Sequence, residues 1–210
     1  MQPYEIKGQC VAKRAFEVCA VADLRILLIG PLGSGKSTLR AAFPNVVSAE
    51  RETCACGHFQ DVRQGCTCNA RQLIRWYRRI ERDARDFDIV LECCPVPARE
   101  MMDTRKRDPQ DDTWMVARIA AGRKYGESHT SLKLADDAAE RTLEMVLRRL
   151  SLTYGQHEAV LRTARAIANL DGSEYLKAKH VAEACQYRGD ATCFRVDRLP
   201  IPSEPLAEVA

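Results

Sequence analysis

The stretch GPLGSGKS, residues Gly30–Ser37, constrains the fold of this chain more than any other part of it. It fits the phosphate-binding pattern G-x-x-x-x-G-K-[ST], and the apolar run RILLIG comes directly before it. Such a loop joins a buried parallel strand to the start of a helix. The sequence therefore predicts an α/β domain that binds a nucleotide phosphate.

The residues of this loop form the predicted nucleotide site. Gly33 and Gly35 let the backbone curl so that its N–H groups face the phosphates. Lys36 is expected to reach the β- and γ-phosphate oxygens and Ser37 to bind Mg²⁺. The candidate nucleotide-binding residues are Gly30, Pro31, Leu32, Gly33, Ser34, Gly35, Lys36, Ser37 and Thr38. The expected cofactors are ATP or ADP with Mg²⁺.

Hydrophobic spacing predicts the elements around the loop and a change of architecture beyond it. A helix is predicted over Gln9–Val21, strands over Asn45–Glu50 and Phe87–Cys94, and a charged helix over Ala70–Asp86. Four later segments have helical spacing, namely 113–125, 135–150, 155–170 and 177–187. The predicted organisation is a nucleotide-binding domain over 1–98 with a cysteine-rich loop at 54–68, a linker over 99–112, an all-helical domain over 113–190 and a flexible tail over 191–210.

Four of the ten cysteines form two C-x-C pairs, Cys54 with Cys56 and Cys66 with Cys68. Four thiolates on a closed hairpin can bind Zn²⁺ tetrahedrally. The alternative is reduced cysteines in a packed loop. The other six read as ordinary apolar residues: Cys10, Cys19, Cys93, Cys94, Cys185 and Cys193.

The composition excludes a membrane-spanning protein and says little about nucleic acid. No apolar run is long enough to cross a bilayer, and the first residues do not resemble a signal peptide, so we expect a cytoplasmic protein. The net charge of +3 is too small to indicate a polyanionic partner by itself.

Four segments of the chain together resemble the magnesium-chelatase-like AAA+ ATPases, the family that includes the competence protein ComM. They are GQCVAKRAFEVCA, LLIGPLGSGKS, CACG…CTCNARQLIRWYRRI and LRTARAIANLDGSEYLKAKHVAEACQYR. The resemblance implies an AAA+ core with the sheet order 5-1-4-3-2, a helical lid, and subunits assembled in a ring.

The chain departs from that family pattern in ways that bear on catalysis. Strands 2 and 3, and with them the Walker B carboxylates, are missing, which leaves a short parallel sheet of order 5-1-4. Glu52 stands where the family has its sensor-1 Asn, and Asp86 where it has the arginine finger, with Arg85 displaced by one. Reading FDIVLECC as a substitute Walker B motif is disfavoured, because its acidic residues are separated.

Two lid arginines match the family, Arg162 and Arg165. Arg162 is a further candidate for nucleotide binding, and the alternative for both arginines is a solvated helical face.

These features favour an ATP-binding protein with weak or no hydrolysis. One alternative is an active AAA+ ATPase of DNA processing in natural transformation, with a carboxylate from another subunit or from Asp61, Glu50 or Glu52. Another is a non-enzymatic module that binds DNA or protein through the helix RQLIRWYRRIERDAR, although Glu81, Asp83 and Asp86 interrupt its basic residues. A homo-oligomer is expected through the ring interface or through an exposed, apolar sheet edge.

Overall fold

The computed structural model describes residues 3–102, 110–150 and 152–189 of the chain. The strands are β1 (Ile26–Ile29), β2 (Ser48–Arg51) and β3 (Ile89–Glu92). The helices are α1 (Cys10–Ala22), α2 (Lys36–Ala42), α3 (Ala70–Asp83), α4 (Ala98–Met101), α5 (Gln110–Ser128), α6 (Asp137–Leu150), α7 (Tyr154–Leu170) and α8 (Ala178–Gly189). Short 3-10 turns lie at Pro3–Glu5 and Ala84–Asp86.

The three strands form one parallel sheet with β1 in its centre. All four residues of β1 are buried, as expected for a continuous apolar strand that is covered on both faces. The short parallel sheet predicted from the sequence is confirmed. The strand order is β2-β1-β3 in this chain's own numbering. The predicted order 5-1-4 uses the family's strand numbers instead, and the assignment of those numbers rests on the resemblance.

The edge strand β2 begins three residues later than predicted and is polar. Ile26 pairs with Ser48, so that Asn45–Val47 fall in the turn that precedes the strand. The strand then carries the charged residues Glu50 and Arg51, a composition that discourages pairing with another chain. The expectation of an exposed apolar edge was therefore wrong, because the register leaves the two valines outside the strand.

Alternate residues of the central strand face two different helical layers. Ile26 and Leu28 belong to a hydrophobic cluster with Phe16 of α1, whereas Leu27 and Ile29 belong to a second cluster under α3. This is the period-two alternation of a strand covered by helices on both sides. The sheet is therefore held in place from both faces, and the loop that follows β1 starts from a rigid strand.

The second half of the chain is helical, as predicted, and packs directly on the first half. Helices α5 and α7 both contact α1, and α8 contacts β3. Glu17 of α1 is buried and accepts hydrogen bonds from Arg14 and from Arg118 of α5. One hydrophobic cluster thus includes residues of both halves.

Two helices extend into the range predicted as a linker. α4 occupies Ala98–Met101 and α5 begins at Gln110, while residues 103–109 and the predicted tail, which contains Cys193, lie outside the described residues. The division into domains at 98 and 113 stays a prediction. Among the helices that the structure describes, none combines the length and the apolar character that crossing a membrane requires.

Candidate functional site

The predicted phosphate loop lies between β1 and α2. Gly33 has φ 72° and Gly35 has φ 89°, both in the left-handed region that favours glycine. A Cβ on Gly30 would lie 2.4 Å from the backbone oxygen of Cys93 at the end of β3. Glycines at these three positions therefore meet steric demands of the loop.

Lys36, the first residue of α2, places its ammonium group inside the loop. Its Nζ donates to the backbone oxygens of Gly30 at 2.8 Å and Pro31 at 2.9 Å, and the side chain is only 5% exposed. The carboxylate of Glu52 lies 4.0 Å from the same nitrogen. The loop thus holds a buried positive charge around which its backbone curls, an arrangement suited to phosphate oxygens.

Ser37 is paired with an acidic side chain on the neighbouring strand. Its hydroxyl donates to Oε2 of Glu50 at 3.0 Å, while Arg40 donates to Oε1 of the same carboxylate at 2.9 Å. Sequence reasoning named Glu50 and Glu52 only as alternative carboxylates near the sheet edge. The parallel pairing of β2 with β1 brings both of them to the loop, which no local sequence signal indicates.

A cavity of about 480 Å³ opens beside the loop and offers space for a ligand. Its walls include Ile6, Gln9, Thr38, Val96 and Met101. The side-chain nitrogen of Gln9 donates to the backbone oxygen of Ser34 at 3.0 Å and to that of Cys94 at 2.8 Å. Sequence reasoning missed Gln9, whose role depends on segments far apart in the chain.

The four cysteines of the C-x-C pairs come together as predicted. Their sulfur atoms all lie within 4.8 Å of one another, with Cys54 Sγ 3.3 Å from Cys56 Sγ and 3.7 Å from Cys66 Sγ. Four sulfurs at about 2.3 Å from a tetrahedral zinc ion are about 3.8 Å apart. The spacing and the chemistry of the four thiols, Cys68 included, therefore fit Zn²⁺.

Backbone N–H groups also point at these sulfurs. Phe59 N donates to Cys54 Sγ at 3.2 Å and Cys68 N donates to Cys66 Sγ at 3.4 Å. Desolvation opposes ionisation of Cys56, but hydrogen bonds from the backbone of Thr67 and His58 and from neighbouring thiols lower its pKa to about 5. The cluster thus stabilises one thiolate, at Cys56, the form of cysteine that binds metal, whereas burial and the neighbouring thiols raise the pKa values of Cys66 and Cys68.

The cysteine hairpin, residues 54–68, is attached to the phosphate loop. Leu32 N donates to Gly57 O at 3.0 Å, and the guanidinium group of Arg63 donates to the backbone oxygens of Leu32 and Gly33. A Cβ on Gly57 would lie 2.6 Å from the Leu32 side chain. The hairpin thus helps to set the position of the loop.

The structure does not bring the two lid arginines to the phosphate loop. Arg162 donates to Oδ1 of Asp88, which lies beside Arg25 before β1 begins. With about 3.3 Å of rise per strand residue, that position is roughly 16 Å from Gly30. Arg162 therefore lies away from the phosphate loop, because its position on α7 faces the amino-terminal end of the sheet.

Arg165 is neither over the nucleotide loop nor on a solvated face. It is 5% exposed, and its guanidinium group donates to Asn169 Oδ1 and to the backbone oxygens of Ser131, Ser173 and Glu174. The family-matching arginine therefore holds together the loops between helices.

The acidic residues of FDIVLECC do not form a pair. Asp88 precedes β3 and binds Arg162 and the backbone of Arg25, whereas Glu92 ends the strand opposite Ile29. The two carboxylates thus lie at opposite ends of β3, which agrees with rejecting this strand as a Walker B motif. Asp86, at the position of the family's arginine finger, is exposed in the 3-10 turn that follows α3, as is Arg85.

Helix α3 carries a stripe of exposed arginines. Their spacing of three and four residues places them along one side of the helix. They are Arg71, Arg75, Arg78 and Arg82, with Arg79 beside them over the Trp76 ring. Asp83, which the sequence placed among them as an interruption, instead binds Arg51 of β2.

Comparison with known protein families gives two matches. Residues 3–53 match the family model described as magnesium chelatase, subunit ChlI, and residues 96–188 match that described as magnesium chelatase, subunit ChlI C-terminal. The first range includes the phosphate loop and Glu50, and the second includes helices α5–α7. Together they take in about two thirds of the chain. No curated protein matches the chain.

Proposed function

Because this chain belongs to the magnesium-chelatase-like family of AAA+ ATP-binding proteins, we propose that its phosphate loop binds ATP or ADP with Mg²⁺ and hydrolyses ATP slowly or not at all. The observation that carries the binding proposal is the Lys36 ammonium group, buried in the curl of the loop. Hydrogen-bonded to two backbone oxygens, it is placed to meet phosphate oxygens that enter the loop.

The short connection between α2 and β2 supports the proposal of weak hydrolysis. Only residues 43–47 connect these two elements, which leaves no room for the two strands that carry the Walker B carboxylates in the family. An acidic residue, Asp86, occupies the position of the arginine finger. An arginine finger alone is worth about 10³ to 10⁵ in rate, so its loss is enough to slow turnover severely.

Nucleotide titration combined with a phosphate-release assay tests this function. We expect ADP and ATP to bind, and phosphate release to stay at background with Mg²⁺, with or without DNA. Release at about 1 s⁻¹ or faster that disappears in Lys36→Ala would show that the chain is an active ATPase. Absence of binding would contradict the proposal as a whole.

We further propose that the four clustered cysteines hold a structural Zn²⁺. The distances between their sulfurs support this, as do the N–H groups directed at them. A bound zinc would rigidify the hairpin that contacts Leu32 and Gly33, and the proposed role is therefore to brace the loop rather than to take part in chemistry.

A second candidate function is binding of a polyanion such as DNA by the α3 arginine stripe. The observation that favours it is the absence of Asp83 from this surface, because that carboxylate binds Arg51 instead. Binding should weaken steeply as the salt concentration rises. Replacing Arg75 and Arg78 by Ala should reduce the slope of log affinity against log salt concentration by about 2, because each arginine lost removes one phosphate contact. Unchanged binding in this variant would reject the stripe as the contact surface.

Assembly with further copies of this chain is proposed from the family, whose members form rings. A role in natural transformation and a cytoplasmic location rest on the resemblance and on composition, and they stay predictions.

A further inference from the structure

Glu50 is an acidic residue at the phosphate loop that the family pattern does not account for. It lies on β2, directly opposite Leu28 of β1, with its carboxylate between Ser37 and Arg40. In the family, the carboxylates that serve magnesium come from strands that this chain lacks. Removal of those strands leaves β2 as the edge of the sheet, and its side chains are then the nearest carboxylates on that side of the loop.

We propose that Glu50, together with Ser37, holds the Mg²⁺ of a bound nucleotide and so replaces the missing Walker B carboxylate. The inference rests on the proposed nucleotide-binding function, and it assigns a metal-binding role to a strand that supplies the sensor-1 residue in the family. Bound Mg²⁺ neutralises charge on the phosphate oxygens that it contacts.

The separation of the two oxygens fits this ion. Mg²⁺ takes oxygen ligands at about 2.0–2.1 Å in octahedral geometry, so neighbouring ligand atoms are about 2.9 Å apart. The hydroxyl oxygen of Ser37 and Oε2 of Glu50 are 3.0 Å apart. Both atoms are of the hard oxygen type that Mg²⁺ prefers.

The contacts of the carboxylate leave it oriented toward the serine. Arg40 binds only Oε1 of Glu50, and it also contacts the Ser48 hydroxyl on the same strand. The arginine therefore fixes the rotation of the carboxylate while Oε2 stays directed at Ser37. A ligand held in place before the ion arrives loses less entropy on binding.

The neighbouring carboxylate of Glu52 has a different partner. It lies 4.0 Å from the Lys36 ammonium group, with which it forms an ion pair. Glu50 is thus matched to the metal-binding serine and Glu52 to the phosphate-binding lysine.

The test measures how strongly Mg²⁺ promotes nucleotide binding. A fluorescent ADP analogue is titrated into the full chain in MgCl₂ and in EDTA, and the ratio of the two dissociation constants is compared among wild type, Glu50→Gln, Ser37→Ala and Glu52→Gln. Glu144→Gln, which removes an exposed carboxylate of α6, is the matched control. Circular dichroism verifies folding, and Glu50→Ala, which also removes the carboxylate, replaces Glu50→Gln if that variant does not fold.

We expect Mg²⁺ to strengthen binding in wild type and in the Glu144→Gln control, and the benefit to fall by about 10-fold or more in Glu50→Gln and Ser37→Ala. Binding in EDTA should not weaken in Glu50→Gln, because the variant removes a negative charge near the phosphates. Glu52→Gln should bind more tightly in both buffers and keep the ratio.

A Glu50→Gln ratio equal to that of wild type overturns the inference alone. A wild-type ratio near one also overturns it, and it contradicts the Mg²⁺ part of the proposed function while leaving nucleotide binding in place. Loss of the Mg²⁺ benefit in Glu52→Gln but not in Glu50→Gln would move the metal role to Glu52 and also overturn it. If wild type binds no nucleotide in either buffer, the proposed function fails, and this inference fails with it.

Discussion

Arg162 and Asp88 form an ion pair, with Nη2 2.7 Å from Oδ1, at the end of the sheet opposite the phosphate loop. The carboxylate also accepts a hydrogen bond from the backbone N–H of Arg25 at 3.0 Å. The pair thus joins helix α7 to the start of two strands, and the arginine has a structural partner that is remote from any phosphate in the loop.

We therefore predict that Arg162→Ala leaves nucleotide affinity within about twofold of wild type. The variant should lower the free energy of unfolding by about 0–1 kcal/mol, because the arginine side chain is 48% exposed. Asp88→Ala should cost more, about 1–3 kcal/mol, since it also leaves the Arg25 N–H without its partner. Denaturant unfolding and ADP titration measure these effects. A tenfold loss of affinity in Arg162→Ala would return this arginine to the nucleotide site.

Lys36→Ala should abolish nucleotide binding while the chain stays folded. The ammonium group supplies charged hydrogen bonds to phosphate, and losing about 3 kcal/mol of such contacts weakens binding about 100-fold. Titration of the fluorescent ADP analogue, with thermal unfolding in parallel, measures both properties. Lys124→Ala, an exposed lysine of α5, is the control. Equal affinity of Lys36→Ala and wild type would reject the loop as the phosphate site.

The purified chain should contain about one equivalent of zinc. Cys66→Ser should lose most of the metal and lower the unfolding temperature, because one of the four sulfur ligands is removed. Cys10→Ser, which replaces an exposed cysteine outside the cluster, should keep the metal. Metal analysis of protein prepared without a histidine tag makes the measurement. Less than about a tenth of an equivalent in wild type would exclude the zinc site.

Stability should fall on acidification because of His180. This side chain is buried, accepts a hydrogen bond from Lys177 N at Nδ1, and lies with Nε2 3.2 Å from Asp171 Oδ2. Burial lowers the pKa of His180 below its usual 6.5. When folding lowers the pKa of a group, that group contributes fully to the free energy of unfolding at pH values above its unfolded-state pKa. The contribution is lost as the pH falls through the folded-state pKa.

Thermal unfolding of wild type between about pH 7.5 and pH 5 should therefore show a decline that begins near pH 6.5. His180→Gln should be less stable at neutral pH and should flatten the decline in this window, because the titrating ring is gone. His157→Gln, at a half-buried position near the start of α7, is the control. A decline of equal steepness in His180→Gln would assign the acid sensitivity to other groups.

Local sequence patterns were sufficient for most elements of this protein, although they missed α4 and placed the start of β2 three residues early. The run RILLIG predicted a buried strand, the glycines and Lys36 predicted the loop, and helical spacing predicted α1, α3 and the four helices from α5 to α8. These predictions succeeded because apolar periodicity and glycine conformations act over a few residues. The two C-x-C pairs likewise predicted a cluster, since each pair brings two sulfurs close through the backbone alone.

Contacts between distant segments were decided only by the tertiary structure. The register of β2 against β1 placed Glu50 beside Ser37, and the docking of α7 on the sheet took Arg162 to Asp88 and buried Arg165. A shift of one residue in a strand turns its side chains to the opposite face, and a helix docked elsewhere presents the same arginine to another partner. The sequence by itself thus determined that the chain has a phosphate loop, while packing determined which carboxylate lies next to it, because register and docking depend on the whole core rather than on neighbours in the chain.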